Sequence, residues 1–364
     1  MLAARWHGRA DVRVEKVPDP GAPGPGRAVL RVLRCGVCGS DVREYRAGPV
    51  LIPLEPHPLT HTSAPVTLGH EILGEVVAVG DRLDDELVGR RVVVDPTICC
   101  DRCASCRRGE SNLCAFAACL GVSADGGLAS LVEVDTTKLV PVPDSLSDDR
   151  AALAEPLAVA LHAVSRGSLR LGDRVVVSGF GPIGAGATLA AMADGASEVV
   201  VLEPDADRRR MASELGAHSV DPADAVAVRE LHGFADAGFE CSGADGALRT
   251  ALRLVRPGGR VVVPGVAHSP AELNLRNLVL TERSVVGSVG YRGDIDRAVT
   301  LMASGVIDPA ILSGPTISLR SLPRWFASTS PAAALKVLVD PGLDRSAAPV
   351  DVKRSTHHDA DEVP

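Results

Sequence analysis

The sequence predicts an α/β protein in two parts, a β-rich N-terminal domain followed by a doubly wound parallel sheet. Three observations support this prediction. Short apolar runs broken by Gly and Pro fill the first 150 residues, strand–helix units alternate from about 151 to 291, and a glycine-rich turn follows the first strand of that alternation. A chain of 364 residues, 46% of them apolar, is long enough for two hydrophobic cores.

The first part contains three clear strand patterns. RAVLRVLRC (27–35), EILGEVVAVG (71–80) and RRVVVDP (90–96) are Val-rich runs bounded by turn residues. The Pro-rich segment 48–71 cannot form a regular element, so we predict a long surface or cleft loop there.

The second part begins with a helix and continues with alternating elements. LSDDRAALAEPLAVALHAVSRG (146–167) has helical spacing, and we expect Pro156 to interrupt it. RVVVSGFGPIGAGATLAAMADG (174–195) is a strand, a turn and a helix, and similar units follow to about 291. A helix at 293–307 and a strand at 334–341 come next, and the polar residues 342–364 are predicted to be a disordered tail.

The composition argues against several classes of protein. A net charge of −8 and 2% aromatic residues disfavour nucleic-acid binding, which usually needs a basic face or stacking rings. We find no signal-peptide pattern and no apolar run near the roughly 20 residues of a membrane span. We therefore expect a cytoplasmic protein without nucleic-acid or membrane partners, whose clustered cysteines are metal ligands or catalytic groups rather than disulfides.

The glycine-rich turn has the spacing of a dinucleotide site. Gly179, Gly181 and Gly184 follow an apolar strand and open a helix, and Glu203 ends the next strand nineteen residues later. Such a carboxylate accepts hydrogen bonds from the ribose hydroxyls and repels a 2′-phosphate, which favours NAD over NADP. Arg208 and Arg209 lie near enough in the sequence to weaken that preference. The predicted cofactor residues are Gly179, Gly181, Pro182, Ile183, Gly184, Glu203 and Arg208.

Five of the cysteines lie within residues 99–114. Four of them, Cys100, Cys103, Cys106 and Cys114, have the spacing C-x2-C-x2-C-x7-C. This spacing fits a closed structural zinc site better than an iron–sulfur run, which would continue with x3-C-P. Cys99 is one residue out of register with this spacing and is not expected to be a ligand of that site. A closed site leaves no position for a substrate, so the reaction must occur elsewhere.

Three other short segments offer metal ligands. They contain Cys38 in GVCGSD, His70 and Glu71 in LGHE, and Glu155 in AEPLAV. Each has an ordinary structural explanation when taken alone: a buried thiol, a core histidine, or a charge in the first turns of a helix.

In this order the segments resemble the zinc-dependent medium-chain dehydrogenases/reductases. That family carries G-x-C-G-[ST]-D, GHE, a four-cysteine lobe, an E-P helix and a GxGxxG strand, and the match runs from about residue 2 to 340. The resemblance implies a GroES-like catalytic domain with a structural-zinc lobe (1–150), a Rossmann domain (151–291), a return to the catalytic domain (292–341) and the tail (342–364). It also implies two zinc ions per chain and a homodimer or homotetramer.

The resemblance also implies roles for individual residues. Cys38, His70 and Glu155 would hold the catalytic zinc, with Glu71 beside it and able to exchange roles with Glu155. Ser40 would be the hydroxyl of a proton relay, and Asp41 would orient the ligands. Cys35 competes with Cys38 as a thiolate, but the Gly-Ser-Asp after Cys38 marks the family's ligand.

One position departs from the family. Many relatives carry a His three residues after the relay serine, where this chain has Arg43, which cannot deprotonate in practice. The relay would then end in water or at His57 or His61, which are equally well explained as loop residues.

The resemblance favours a reversible, NAD-linked oxidation of a secondary alcohol. The loop 48–71, EPLAVALHAV, GSVGY and KVLVDP are most similar to the branch acting on 2,3-butanediol, and more distantly to the sorbitol branch. A vicinal diol or an α-hydroxyketone such as acetoin is therefore the expected substrate. A polyol, a cyclitol, an amino-cyclitol or L-threonine remains an alternative. A non-enzymatic zinc protein is disfavoured by the acidic charge and the second ligand set.

Overall fold

The computed structural model of the chain describes residues 1–80, 82–266, 269–328 and 335–344. Its strands are β1 (Leu2–Gly8), β2 (Asp11–Lys16), β3 (Arg27–Val37), β4 (Val66–Thr67), β5 (Glu71–Val79), β6 (Arg91–Val94), β7 (Thr97–Ile98), β8 (Ala118–Cys119), β9 (Leu131–Asp135), β10 (Leu139–Pro141), β11 (Arg174–Ser178), β12 (Glu198–Leu202), β13 (His218–Val220), β14 (Ala235–Glu240), β15 (Val255–Val263), β16 (Ser284–Gly287), β17 (Thr316–Ile317) and β18 (Val337–Val339). Its α-helices are α1 (Gly39–Ala47), α2 (Ala104–Arg107), α3 (Asp148–Ala151), α4 (Ala154–Gly167), α5 (Pro182–Ala193), α6 (Ala206–Glu214), α7 (Ala225–Glu230), α8 (Ala247–Leu254), α9 (Leu275–Leu280), α10 (Asp294–Ala303) and α11 (Leu322–Ala327). Within these ranges, none of the helices combines the length and the apolar character needed to cross a bilayer.

The N-terminal part is β-rich, as the sequence predicts. β1 pairs with β2 and β4, and a larger sheet has the order β10-β6-β5-β3-β18-β17, with β9 also paired to β3. The predicted strands 27–35, 71–80 and 90–96 correspond to β3, β5 and β6. Trp6, Leu30, Leu68 and Ile72 are almost fully buried and belong to one hydrophobic core, which supports these strands.

β3 is the strand that assembles the metal site. It pairs antiparallel with β5 on one side and with β18 on the other. Gly36 lies opposite Glu71, and Val37 lies opposite Val337. This register brings the start of β5 and the start of β18 to the end of β3, immediately before Cys38.

The second part is a six-stranded parallel sheet with the order β13-β12-β11-β14-β15-β16. β11, β12 and β15 contain runs of buried Val, as expected where helices cover both faces of a sheet. The chain order reverses between β11 and β14. In open α/β sheets, ligands bind outside the carboxyl ends of the strands at such a reversal. The observed order confirms the predicted fold class.

The helix expected to be interrupted at Pro156 is interrupted earlier. α3 ends at Ala151 and α4 begins at Ala154, so Pro156 is the third residue of α4. The amide at that position has no partner inside the helix, and proline therefore costs little there. The prediction placed the break at the wrong residue.

At its C-terminus the described chain returns to the first part through β17 and β18. Pro341–Asp344 forms a 3-10 turn, so the first residues of the predicted tail are ordered. The rest of that tail, 345–364, lies outside the described residues.

Candidate active site

Cys38, His70 and Glu71 converge at the end of β3. One ligand atom from each residue lies within 4.8 Å of the other two. The Cys38 amide donates to Asp41 Oδ2 at 2.8 Å, which fixes the start of α1. His70 directly precedes β5 and Glu71 is its first residue, so two separate elements position the three side chains.

Several polar atoms at this cluster are buried without a hydrogen-bond partner. Among the described residues, these atoms include His70 Nδ1, Glu71 Oε2 and Ser40 Oγ. Buried polar atoms are nearly always paired in proteins, so unpaired ones at a Cys/His/carboxylate cluster point to a missing partner. A thiolate, an imidazole and a carboxylate are the ligands of catalytic zinc sites that keep one position open. The donor set therefore fits zinc.

Glu71 is held by a buried ion pair. Lys336 Nζ lies 2.5 Å from Glu71 Oε1, with side chains 2% and 0% exposed. Burial would lower the pKa of Lys336, but the Glu71 carboxylate raises it above its ordinary value. The ion pair fixes one Glu71 oxygen and leaves the other free for the cluster. Sequence reasoning missed Lys336, although a lone Lys within the apolar run LKVLV was a usable signal.

Glu155 lies near the cluster but outside the closest group. In the part of the chain that the structure describes, the group within 4.8 Å contains Glu71 and not Glu155. Burial raises the pKa of Glu155 to about 7, and Glu71 adds to that rise, while His70 and Lys336 oppose it. The structure thus brings two of the three predicted zinc ligands together and places the third within electrostatic reach.

Two further cysteines lie close to this region. Cys35 is fully buried in the hydrophobic core, and burial raises its pKa well above the ordinary value. Sequence reasoning did not single out Cys119. The charges of His70 and Glu155 both affect the pKa of its thiol. Burial raises the pKa of Cys119 to about 12. Neither cysteine belongs to the 4.8 Å group among the described residues.

Asp41 and the two candidate relay histidines, His57 and His61, have different surroundings. Asp41 is 2% exposed, and burial raises its pKa although His70 opposes the rise. His57 Nδ1 accepts a hydrogen bond from the Leu59 amide at 3.2 Å, and this hydrogen bond stabilises a turn of the loop. His61 is exposed and has a left-handed φ of 57°. Neither histidine belongs to the described metal-ligand groups.

The glycine turn has the close contacts that its motif requires. Gly179 has a φ of +87°, and a Cβ at Gly184 would lie 1.9 Å from the Gly179 carbonyl oxygen. Gly181 faces open space, and Pro182 opens α5. The free amides at this helix start suit a pyrophosphate.

Glu203 ties the turn to the end of β12. Its carboxylate accepts hydrogen bonds from the Phe180 amide at 2.6 Å and from the Asp205 amide at 3.0 Å. Arg209 donates to the Glu203 carbonyl at 2.8 Å and pairs with Asp221. Arg208 is half-buried at the start of α6. The contacts of Glu203 hold the predicted cofactor residues in a fixed geometry.

The four-cysteine lobe has the geometry of a closed metal site. The sulfurs of Cys100, Cys103, Cys106 and Cys114 lie within 4.8 Å of one another. Backbone amides donate to these sulfurs, as from Cys100 to Cys114 Sγ at 3.4 Å. The lobe touches the second part of the chain, because Asn112 Nδ2 donates to the Val289 carbonyl at 3.0 Å.

We expect Gly36→Ala to disturb the metal site more than the fold. A Cβ at Gly36 would lie 1.9 Å from Glu71 Oε2, and the ion pair with Lys336 prevents that carboxylate from moving freely. Zinc affinity at this cluster should fall by about 10–100-fold, the range typical of losing the contacts that orient a metal ligand. Metal analysis after dialysis against a graded chelator measures this. Gly39→Ala, where a Cβ meets nothing within 4 Å, should retain its zinc, and equal losses in both variants would contradict the prediction.

Two protein families match the chain. The alcohol dehydrogenase GroES-like domain matches residues 24–144, and the zinc-binding dehydrogenase family matches residues 182–304. The (R,R)-butanediol dehydrogenase of Bacillus subtilis (strain 168) is 38% identical over 350 residues, which cover 94% of this chain and 100% of that protein. A sorbitol dehydrogenase of the same organism is 31% identical, over 85% and 87% of the two chains.

Solved structures agree with these matches. The crystal structure of 2R,3R-butanediol dehydrogenase from Bacillus subtilis has a TM-score of 0.87 and 37% identity, covering 93% of this chain and 99% of the other. A zinc-binding dehydrogenase of Sinorhizobium meliloti 1021 bound to NADP has a TM-score of 0.86 and 32% identity over the same shares. The chain therefore belongs to the zinc-dependent medium-chain dehydrogenase/reductase family and is an alcohol oxidoreductase that uses zinc and a nicotinamide cofactor.

Proposed function

We propose that the protein is an NAD-linked dehydrogenase that interconverts a secondary alcohol of a vicinal diol and the corresponding α-hydroxyketone. 2,3-Butanediol and acetoin are the model pair. The Cys38–His70–Glu71 cluster supports this proposal, because it supplies a zinc site with one position left for a substrate oxygen. The similarity to a butanediol dehydrogenase over nearly the whole chain supports the substrate class.

The catalytic zinc would be held by Cys38, His70 and a carboxylate. The distances favour Glu71, and Glu155 faces the same cluster as the alternative ligand. When bound, zinc acts as a Lewis acid that makes a substrate hydroxyl more acidic and polarises a carbonyl. Asp41 fixes the backbone of Cys38. The buried Ser40 hydroxyl has no described partner and would receive the substrate proton.

NAD would bind at the glycine turn, which lies at the reversal of the parallel sheet. Glu203 favours NAD because its buried carboxylate would repel a 2′-phosphate. Arg208 is the residue that would moderate this preference. The comparison of catalytic efficiency with NAD and NADP tests the assignment, and a preference for NADP would contradict it.

A second, structural zinc would be held by the four cysteines of the lobe. We expect Cys103→Ser to lower Tm by at least about 5 °C, equivalent to about 2 kcal/mol in domains of this size, because a closed site stabilises the fold. The catalytic zinc should remain bound. Calorimetry and metal counting measure both effects, and an unchanged Tm with one zinc lost would show that the lobe needs no metal.

A substrate panel tests the proposed reaction directly. The panel contains the stereoisomers of 2,3-butanediol, acetoin, sorbitol, a cyclitol, an amino-cyclitol and L-threonine, each with NAD and NADP. Absorbance of the reduced cofactor reports turnover. We expect the highest catalytic efficiency with a small vicinal diol. If no small diol is oxidised but a polyol or a ring substrate is, the alternative substrate class is favoured. The 31% identity to a sorbitol dehydrogenase supports that alternative.

The surface around β16 suggests a homodimer. β16 is an edge strand of the parallel sheet, so its outer backbone groups have no strand beside them in the described chain. Nearby Leu275, Val279, Leu280 and Val289 are each more than half exposed. Exposed apolar residues beside a sheet edge are typical of protein interfaces. Sedimentation analysis distinguishes the dimer from the homotetramer or a monomer.

A further inference from the structure

Cys99, the thiol without a predicted role, lies in a second group of ligand atoms. Its sulfur, a carboxylate oxygen of Asp101 and the sulfur of Cys106 lie within 4.8 Å of one another. The Cys99 thiol donates to Asp101 Oδ1 at 3.1 Å. Cys106 also belongs to the four-cysteine group, so the two groups share one sulfur.

The spacing of these atoms is suitable for a tetrahedral metal ion. Bonds of about 2.3 Å to sulfur and about 2.1 Å to oxygen give edges of roughly 3.8 Å between sulfurs and 3.6 Å between sulfur and oxygen. The three atoms lie no more than 4.8 Å from one another, and the Cys99 sulfur lies 3.1 Å from Asp101 Oδ1. Small side-chain movements are therefore enough to enclose an ion.

The site opens onto a surface cavity. Cys99 and Asp101 line this cavity, whose volume is about 680 Å³. Its cationic groups each pair with a lining carboxylate: Lys138 with Asp95, Arg27 with Glu133, and the Met1 amine with Asp19. Within the described ranges, the hydrogen-bond partner of the Asp101 carboxylate is the Cys99 thiol. A cation can thus reach Asp101 without displacing an ion pair.

We propose that Cys99, Asp101 and Cys106 bind an additional thiophilic divalent cation, Zn²⁺ or Cd²⁺, with the Cys106 sulfur bridging it to the ion of the four-cysteine site. Two sulfur ligands favour such an ion over Mg²⁺ or Ca²⁺. The cavity supplies water for the fourth position. A shared sulfur keeps the two ions within about 4.6 Å of each other, twice a zinc–sulfur bond. The proposal rests on the proposed metal in the four-cysteine lobe.

Counting bound cadmium tests the proposal. The full chain is stripped of metal, kept reduced and titrated with Cd²⁺, and bound metal is measured together with cadmium–thiolate absorbance. The unsubstituted chain should bind one ion more than Cys99→Ser, whatever number the other sites take. Cys241→Ser removes a thiol distant in sequence from the lobe and should match the unsubstituted chain. Asp101→Asn should weaken the additional ion by about tenfold or more.

Equal metal counts in the unsubstituted chain and Cys99→Ser would overturn the proposal. If Cys99→Ser does not fold, the Asp101→Asn titration decides, because an unchanged affinity for the last ion excludes the site. Alkylation of Cys99, followed by mass spectrometry, gives a second measurement and should slow as the last equivalent binds. A lobe that binds no metal at all would instead contradict the proposed structural zinc, so the two failures are distinguishable.

Discussion

Cys38→Ser should abolish turnover in a folded protein. Cys38 is the sulfur member of the three-residue cluster, and a serine hydroxyl does not replace a thiolate as a zinc ligand at neutral pH. Zinc stabilises developing charge by several kcal/mol, so kcat/KM should fall by at least about 1,000-fold. Steady-state kinetics with the best substrate of the panel, together with zinc counting, provides the measurement.

The matched control is Cys35→Ala, three residues away. Cys35 is fully buried in the core, and it lies outside the described metal-ligand groups. Its loss should lower stability through a small cavity but leave the zinc count and the reaction intact. If both variants lose zinc equally, or if Cys38→Ser retains full turnover, Cys38 is not the ligand that the cluster indicates.

Lys336→Met should strongly destabilise the protein, most of all without metal. The substitution leaves the Glu71 carboxylate buried with one charge partner removed. Breaking a buried ion pair in this way costs about 3–5 kcal/mol. Zinc at the cluster would compensate part of that cost, because a carboxylate oxygen of Glu71 lies within 4.8 Å of the ligand atoms of Cys38 and His70. Denaturant unfolding of the zinc-loaded and zinc-free protein measures both values.

The double variant Lys336→Met/Glu71→Gln provides the control. With the charge of Glu71 also removed, much of the stability should return, since the cost arises from the unpaired carboxylate. Zinc affinity should remain low, because an amide oxygen is a weaker ligand than a carboxylate. A double variant as unstable as Lys336→Met would show that Lys336 acts through packing and not through its charge.

Much of the fold could be predicted because its signals are local. The Val-rich runs predict strands from residue type and length alone, and the strand–turn–helix order around Gly179 predicts the parallel sheet. The break before α4 could not be placed in the same way. Pro156 is a strong local signal, but its position in the first turn of α4 depends on where that helix begins.

The candidate site was predictable only in part. Spacing within 15 residues indicated the four-cysteine set, and the segments around Cys38 and His70 indicated the second cluster through their resemblance to a family. Whether Glu71 or Glu155 approaches Cys38 depends on the register of β3 and β5, which no local pattern specifies. The structure places Glu71 closer.

The sequence by itself determined the fold class, the ligand types and the order of the motifs, because these properties depend on neighbouring residues. Only the tertiary structure decided which side chains meet. Lys336 pairs with Glu71, 265 residues away, because β5 and β18 flank the same strand. Cys99 and Asp101 approach Cys106, whose sulfur also belongs to the four-cysteine group. Both contacts result from strand register and loop folding, which sequence spacing does not encode.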